Sequence, residues 1–385
     1  MQATPLSSPF IAAPVRFDSD LSAMRYALTL AEQAIGLSDP NPRVGCVILD
    51  AGGQLLGCGH TQAAGLAHAE LMALRDAQAN GSSVVGATAY VTLEPCAHHG
   101  RTPPCCDALI AAGLKRVVMA VLDPNPLVAG QGQARLQAAG IATECGLLAD
   151  EAQELNLGFF SRMQRGKPFV RLKIAASLDG RTALLNGASQ WITAAAARAD
   201  GHAWRKRAGA VLTGIGTVRD DNPRLDVRLV ETNLQPLRVV IDSRLETPAD
   251  ARLLAPPGQV LIYCAVPPDS RPQAAAALRA AGAELVCLAG LGGSQAKVDL
   301  AAVLADLGRR GINELHIEAG HKLNGSLLRA GLVDEMLVYL APKLLGQGRE
   351  MAAFGPLESL ADALQWRWLD CSVVGEDLRL RARPR

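Results

Sequence analysis

One stretch of the sequence says most about its architecture: residues 92–105 read TLEPCAHHGRTPPC, with eight residues between Cys96 and Cys105. Upstream, His68-Ala69-Glu70 opens a segment of helical composition. Zinc accepts imidazole nitrogen and thiolate sulfur in a tetrahedral site, and a catalytic site keeps three protein ligands and an open fourth position. His68, Cys96 and Cys105 supply such a set, so the stretch predicts a catalytic zinc centre.

The glutamate two positions after the histidine gives this centre a base. Water on such a zinc has a pKa of about 7, and its proton needs an acceptor. Glu70, at the start of the same helix, is placed to take that proton and to pass it to a departing amine. This is the arrangement of zinc deaminases, in which the glutamate is not a ligand. The alternatives are a structural zinc site and an ordinary surface turn.

Neighbouring residues compete for the ligand positions. Spacing alone leaves Cys106, His98 and His99 open as the third ligand. Cys96 follows a proline and Cys105 follows two, so both thiols are expected near helix starts, where the helix dipole favours the thiolate.

The surrounding pattern predicts an α/β protein of two domains. A helix from Ser19 is followed by two strands, and strands then alternate with helices as far as Cys145, which favours a three-layer domain. The polar segment 162–168, punctuated by Gly and Pro, marks a boundary. A second α/β series follows it and ends in two antiparallel strands. The predicted organisation is a loose tail over residues 1–16, a first domain over 17–163 and a second over 167–385.

Composition narrows the functional classes. The 385 residues include 38 Lys plus Arg and 37 Asp plus Glu, a net charge of +1 that disfavours a nucleic-acid-binding protein. No apolar run reaches the ~18 residues that a membrane span needs. Nine cysteines, an odd number, with no secretion signal in residues 1–16, favour the reducing cytoplasm over a disulfide framework.

Taken together, the motifs resemble the bifunctional deaminase/reductases of riboflavin biosynthesis. The resemblance in the first half rests on residues 92–105, on Asn41-Pro42-Arg43-Val44-Gly45 and on His68-Ala69-Glu70. It implies a cytidine-deaminase-like domain in which His68, Cys96 and Cys105 bind Zn²⁺, Glu70 shuttles the proton and Cys106 is a bystander. The sequence departs from the family pattern at Thr61, where many relatives have His, and in lacking a Pro before His68.

The second half lacks a complete Rossmann fingerprint, because Gly214-Ile215-Gly216 is followed by Arg219 where the third glycine belongs. Its glycine-rich turns at 213–217 and 318–320, the latter before a helix expected near Asn324, are suited to present N–H groups to a phosphate. The resemblance continues here in residues 173–181, 189–193, 216–218, 221–223, 240–243 and 318–320. It implies a dihydrofolate-reductase-like domain that uses NADPH.

The resemblance also implies individual contacts in this half. The NADPH contacts are Ala175, Trp191, Thr217, Asp221, Gly320, Leu323, Asn324, Gly325 and Ser326. The sugar-phosphate contacts are Ser189, Arg205, Leu225, Arg228, Ser243 and Glu318. Lys173 and Asp179 are candidate proton donors, and His321 and Lys322 depart from the residues usual in that turn.

Two consecutive reactions are therefore expected. The first is hydrolytic deamination of 2,5-diamino-6-(ribosylamino)pyrimidin-4-one 5′-phosphate, and the second is NADPH-dependent reduction of the ribosyl group of 5-amino-6-(5-phosphoribosylamino)uracil to ribityl. The expected partner is thus a small phosphorylated pyrimidine ribotide, and the resemblance favours a homo-oligomer. A nucleic-acid-binding protein with a deaminase fold would instead need a basic face. A structural-zinc scaffold would be unaffected by Glu70→Gln.

Overall fold

The computed structural model describes residues 16–98, 103–126, 128–255, 257–292 and 296–385. The chain divides into two compact units, the first ending at Asn156 and the second running from Leu157 to Arg385. The expected N-terminal tail lies outside the described residues except for Arg16, which forms an isolated β-bridge with Gln54. Among the described helices, none combines the length and apolar character needed to cross a membrane.

The first unit is built around a five-stranded sheet. Its helices and strands are α1 (Asp20–Glu32), β1 (Gly45–Leu49), β2 (Leu55–His60), α2 (Ala69–Ala79), β3 (Thr88–Val91), α3 (Cys105–Ala111), β4 (Arg116–Met119), α4 (Gln131–Ala138), β5 (Ala142–Cys145) and α5 (Ala149–Leu155). The strand order is β2-β1-β3-β4-β5. Strand β1 is antiparallel to β2 and β3, whereas β3, β4 and β5 are parallel. The loops that follow β3 and β4 therefore leave the same edge of the sheet.

Helices α1 and α2 cover opposite faces of this sheet. A Cβ added at Gly45 would lie 1.9 Å from the carbonyl oxygen of Ala27 in α1, and one at Gly57 would lie 2.3 Å from that of Ala73 in α2. Gly57 pairs with Ile48, three residues after Gly45 on β1. Because side chains alternate between faces along a strand, positions 45 and 48 face opposite ways. The predicted three-layer α/β architecture is confirmed.

The second unit contains a nine-stranded sheet. Its helices and strands are α6 (Leu157–Arg165), β6 (Phe169–Ser177), β7 (Arg181–Leu184), α7 (Ala195–Arg207), β8 (Ala210–Gly214), α8 (Ile215–Asp221), β9 (Leu237–Ile241), β10 (Val260–Cys264), α9 (Pro272–Ala280), β11 (Ala283–Cys287), α10 (Leu300–Arg309), β12 (Glu314–Ile317), α11 (His321–Arg329), β13 (Glu335–Ala341), β14 (Gly348–Glu350), β15 (Trp366–Val374) and β16 (Asp377–Pro384). The order is β11-β10-β9-β8-β12-β6-β13-β16-β15, with β7 and β14 forming a separate pair.

The first seven strands in that order are parallel, and β16 and β15 close the sheet as antiparallel strands, as predicted. Open parallel sheets bind ligands beyond the carboxyl ends of their strands. Loops after β6, β8, β9 and β12 meet along that edge. Most of the residues that the family resemblance assigns to NADPH and sugar-phosphate binding lie at this edge.

A buried ionic layer lies on one face of this sheet. Arg171 of β6 donates to Glu314 of β12 and to Glu335 of β13, each at 2.8 Å, and its guanidinium lies 4.4 Å from the ring centroid of Trp204. These three charged side chains are at most 1% exposed. Burial opposes ionisation of Glu335, but Arg171 and Arg381 outweigh it and lower the pKa of Glu335 to about 2. The layer therefore depends on an ionised carboxylate.

The stability of the second unit should fall in acid. A carboxyl whose pKa is lower in the folded state stabilises above its unfolded pKa, and that contribution disappears as the pH falls from about 4.5 towards 2. All four tryptophans lie in this unit, so tryptophan fluorescence during urea unfolding reports on it alone. Glu335→Gln is expected to flatten the dependence of the unfolding free energy on pH across this window. If the unfolding free energy depends on pH equally in Glu335→Gln and wild type, Glu335 is not the group that makes the stability fall in acid.

Candidate active sites

The three predicted zinc ligands converge in the first unit. His68 is the N-cap of α2, Cys96 lies in the loop after β3, and Cys105 is the first residue of α3. His68 Nδ1 lies 3.7 Å from Cys96 Sγ and 3.3 Å from Cys105 Sγ. All three ligand atoms lie within 4.8 Å of one another. Three separate elements of the unit thus supply one cluster.

This cluster fits zinc in both chemistry and spacing. Ligand bonds of roughly 2.0–2.3 Å at tetrahedral angles place donor atoms roughly 3.3–3.8 Å apart, close to the two measured distances. One imidazole and two sulfurs are donors that zinc prefers, and three ligands leave a fourth position for water.

The competing ligands are placed elsewhere or lie outside the described residues. The Cys106 thiol donates to the Pro95 carbonyl oxygen at 3.2 Å and is fully buried, so it belongs to the packing behind the site. His98 is described but is not part of the cluster, and His99 lies outside the described residues.

Both thiols lie at the start of α3, but Cys105 belongs to the helix and Cys96 does not. Cys96 lies in irregular backbone, because the proline before it does not begin a helix. Its sulfur instead accepts the backbone N–H of Cys105 at the start of α3, at 3.3 Å. Hydrogen bonds with Cys105 and His68 outweigh the effect of burial and lower the pKa of Cys96 below its ordinary value. The Cys96 sulfur is therefore stabilised by the N-terminus of α3, although Cys96 itself lies outside that helix.

Glu70 faces the same cluster. It lies in the first turn of α2 and is 3% exposed. Burial, together with the negative charge of Cys96, raises the pKa of Glu70 to about 7. His68 and Cys105 partly oppose this rise in the pKa, so both act on the carboxyl. The side chain thus lies beside the ligands without belonging to the metal-ligating group.

Thr61 has a structural partner. Its N–H donates to the Val44 carbonyl oxygen at 2.9 Å, and its hydroxyl lies 3.4 Å from the same oxygen. The side chain is 2% exposed. The departure from the family pattern at this position is therefore accommodated inside the fold.

In the second unit, Glu318 is the centre of a partly buried charge cluster beyond the end of β12. Arg205 of α7 holds it in a bidentate pair through one guanidinium edge, Nε to Oε1 at 2.5 Å and Nη2 to Oε2 at 2.9 Å. Lys173 Nζ lies 3.8 Å from Oε2, and His316 Nε2 lies 3.4 Å from Oε1. Burial opposes ionisation, yet Arg205 and Lys173 keep the pKa of Glu318 well below its usual value. Two predicted sugar-phosphate residues are thus bonded to each other.

The two candidate proton donors differ. Asp179 accepts hydrogen bonds from the Ser177 hydroxyl and from the N–H groups of Leu345 and Gly346, which lower its pKa to about 2. It is ionised at neutral pH and has no proton to give. Burial lowers the pKa of Lys173, although Glu318 opposes that shift, so Lys173 is the better proton source.

Predicted cofactor residues meet where two helices begin. A Cβ added at Gly320, the N-cap of α11, would lie 3.6 Å from Thr217 Oγ1 in α8, and one at Gly214, the N-cap of α8, would lie 3.2 Å from Leu323. The turn predicted over 213–217 is thus a strand-to-helix junction. Helix α11 begins at His321, three residues before the predicted start, because the chain enters it directly after Gly320.

Asn324 and Gly325 pack inside the fold, whereas Ser326 is partly exposed. Asn324 Nδ2 donates to the Met351 carbonyl oxygen at 2.8 Å, and a Cβ at Gly325 would lie 2.1 Å from the Ala353 carbonyl oxygen. The Ser326 hydroxyl donates back to the Lys322 carbonyl oxygen at 3.0 Å. Close packing against residues 351–353 accounts for the amide and the glycine at these positions.

Ser189 and Asp221 also meet, because the Ser189 hydroxyl donates to Asp221 Oδ1 at 2.8 Å. Trp191 is 61% exposed, with the Arg198 guanidinium 4.6 Å from its ring centroid. Ala175 is half-buried on β6, opposite Tyr339 of β13.

The other predicted sugar-phosphate residues lie in two loops. Leu225 is buried with a φ of +56°, and Arg228 pairs with Asp226 at 2.7 Å. Ser243 follows β9, and its hydroxyl accepts the N–H of Val298 at 3.3 Å. The structure does not bring Ser243 into contact with Arg228 through any described hydrogen bond.

Sequence reasoning missed His202 and His316. His202 is buried, and its Nδ1 accepts the N–H of Arg228 at 3.2 Å. Burial and the charges of Arg205 and Arg228 lower the pKa of His202 to about 4, so it is neutral at pH 7. A signal for His316 was present, because Glu314 and His316 alternate on β12 and Glu318 directly follows it, which places polar groups on one face of a buried strand.

Comparison with known proteins assigns each half. Residues 18–121 match the family described as "Cytidine and deoxycytidylate deaminase zinc-binding region", and residues 168–380 match "RibD C-terminal domain". The chain is 46% identical to the riboflavin biosynthesis protein RibD of Escherichia coli, over 93% of this chain and 97% of that one. It is 40% identical to RibD of Aquifex aeolicus, with the same coverage.

Solved structures agree. RibD of Acinetobacter baumannii superposes with a TM-score of 0.85 at 42% identity, covering 95% of this chain and 99% of that one. A diaminohydroxyphosphoribosylaminopyrimidine deaminase/5-amino-6-(5-phosphoribosylamino)uracil reductase of Thermotoga maritima gives 0.82 at 30% identity, with the same coverage.

Fold and site together define a bifunctional enzyme with a zinc-binding deaminase domain followed by a reductase domain. More narrowly, the chain belongs to the RibD family of riboflavin biosynthesis proteins.

Proposed function

We propose that the chain converts 2,5-diamino-6-(ribosylamino)pyrimidin-4-one 5′-phosphate in two steps, first by hydrolytic deamination and then by reduction of the ribosyl group. The observation that carries the proposal is the group His68, Cys96 and Cys105 with the buried carboxyl of Glu70 beside it. This combination suits the removal of an amine by water.

In the deamination, a C–O bond forms from water, the C–N bond to the 2-amino group breaks, and ammonia leaves. His68, Cys96 and Cys105 hold zinc, which supplies the Lewis acid that makes water nucleophilic near pH 7. Glu70 takes the proton of the attacking water and delivers it to the departing nitrogen. Burial keeps its carboxyl out of bulk solvent and close to the ligands.

In the reduction, the C1′–O4′ bond of the ribose ring breaks, C1′ gains a hydride and O4′ gains a proton. NADPH supplies the hydride, so the protein mainly positions the two reactants. Lys173 is proposed as the proton source. The Glu318 carboxylate lies beside Lys173, and its position is fixed by the ion pair with Arg205.

The residues assigned to binding in this unit remain proposals. For NADPH they are Ala175, Trp191, Thr217, Asp221, Gly320, Leu323, Asn324, Gly325 and Ser326. For the phosphorylated sugar they are Ser189, Arg205, Leu225, Arg228, Ser243 and Glu318. The approach of Gly320 to Thr217 supports the first set most directly. Because Arg205 is engaged with Glu318, we propose that it acts on the sugar through that carboxylate.

We further propose that the chain works in the cytoplasm as a homo-oligomer. All nine cysteines are free, which suits a reducing compartment. Size-exclusion chromatography with light scattering tests the assembly directly.

A coupled assay tests both activities at once. Purified protein is given the diamino ribotide and NADPH, and ammonia and NADPH absorbance are followed together, with and without a zinc chelator. Ammonia release followed by NADPH loss is expected, and the chelator should stop both. Supplying the deaminated intermediate should restore NADPH loss in the presence of chelator. A zinc-loaded protein that releases no ammonia from this substrate would refute the deaminase assignment.

A further inference from the structure

One buried carboxylate of the first unit has no part in the mechanism above. Glu94 lies two residues before the ligand Cys96 and is 5% exposed. Its partners are three backbone N–H groups of one distant segment. Oε2 accepts from Asp123 at 3.0 Å and from Gly130 at 2.9 Å, and Oε1 accepts from Gln133 at 3.0 Å. The carboxylate therefore joins the zinc-ligand loop to the loop between β4 and α4.

The arrangement also caps α4. Gly130 is the N-cap of this helix and carries no side chain that could accept a helix N–H. The first N–H groups of a helix need acceptors from outside the helix, and an anion at that end is favoured by the helix dipole. Glu94 fills this role from a segment about 36 residues earlier in the chain.

Two further contacts place α4 directly beside Cys96. A Cβ added at Gly132 would lie 2.1 Å from the Pro95 carbonyl oxygen, so the backbones touch there. Arg135 Nη1 donates to the Ala97 carbonyl oxygen at 3.0 Å. The residues on both sides of Cys96 are thus in contact with α4.

The ligand sulfur itself is held by other groups. Cys96 Sγ accepts the N–H of Cys105 and lies beside His68, neither of which belongs to α4 or to its preceding loop. The sulfur is therefore bonded to groups outside α4, whereas Glu94 acts on the backbone that flanks Cys96.

We propose that Glu94 is a positioning residue of the deaminase site: by holding α4 and the described segments 120–126 and 128–130 against the loop that carries Cys96, it shapes the space in which the pyrimidine ribotide binds. This inference rests on the proposed function. Glu94 is not part of the metal-ligating group, and its carboxylate is bonded to backbone N–H groups, so its removal should weaken substrate binding and leave the zinc centre intact.

Glu94→Gln tests this with little change in size. An amide has one oxygen, so in either orientation its NH₂ group faces at least one N–H that the carboxylate accepted. We expect the KM of deamination to rise by about tenfold or more with kcat within about threefold, the pattern of lost binding. Zinc content and the absorption spectrum of the cobalt-substituted protein should match wild type. Amide hydrogen exchange at Asp123, Gly130 and Gln133 should accelerate.

Matched variants separate positioning from folding. Glu32→Gln, at the exposed end of α1, removes a carboxylate with no such role and should change nothing. Gly132→Ala displaces α4 from both Pro95 and the Glu94 side chain while keeping the carboxylate, and should reproduce the rise in KM. Reduction of the deaminated intermediate provides a control within the same chain and should be unaffected in every variant.

An unchanged KM in Glu94→Gln overturns the inference, even if the amides exchange faster. A lower fraction of active protein at unchanged KM does so too, because it shows a structural role only. Loss of zinc or an altered cobalt spectrum overturns it by showing that Glu94 acts on the ligand Cys96. If the wild-type protein releases no ammonia, the proposed function fails and this inference fails with it.

Discussion

Glu70→Gln should lose ammonia release by about 10²–10⁴-fold, the usual contribution of a positioned acid–base group, while zinc remains bound. The amide is close to the carboxyl in size, so it fits the buried position in the first turn of α2. It has no site to accept the proton of water or to return one to the leaving amine. The three zinc ligands are unchanged, and zinc content measured by elemental analysis should equal that of wild type.

The second activity serves as the control for this variant. NADPH consumption with the deaminated intermediate should be the same in Glu70→Gln and wild type. With the diamino substrate, NADPH consumption should fall in parallel with ammonia release. A variant that retains zinc and still releases ammonia at the wild-type rate would exclude Glu70 as the proton shuttle and would favour a structural zinc site.

The zinc cluster could be predicted from sequence because its chemistry is carried by residue type and short spacing. His68 and Glu70 lie on one helix start, and Cys96 and Cys105 lie in one stretch, so few arrangements were open. No helix begins at Cys96 itself, because a preceding proline permits a helix without requiring one, and the Cys96 sulfur lies at the start of α3 instead. The role of Glu94 was not predictable, since its three partners lie 29 to 39 residues away.

In the second unit the sequence predicted the sheet better than the site. A run of buried apolar residues identifies a parallel strand whatever position that strand takes in the sheet. The bonding of Arg205 to Glu318, by contrast, depends on how α7 crosses β12, which no local pattern encodes. The tight packing of Gly325 against Ala353 likewise arises from a segment 28 residues later in the chain, and it explains the glycine without a cofactor.

Arg205→Met should destabilise the second unit by about 1–3 kcal/mol, because a carboxylate that is only 16% exposed loses its main partner. Glu318 keeps only Lys173 at 3.8 Å and His316 at 3.4 Å. Reductase activity should fall by about 10²-fold or more if the carboxylate moves, since small displacements of positioning groups cost that much. Deaminase activity should be unchanged. Urea unfolding followed by tryptophan fluorescence measures the stability of this unit.

A second substitution separates charge from position. Arg205→Met combined with Glu318→Gln removes the uncompensated charge, so we expect it to recover most of the lost stability and none of the lost reduction. Arg309→Met, at a guanidinium that is 68% exposed, controls for loss of a surface charge and should change neither property. If the single variant reduces the intermediate at the wild-type rate, Arg205 does not position Glu318 for the reaction. If the double variant is no more stable than the single one, the cost arises from packing and not from the buried charge.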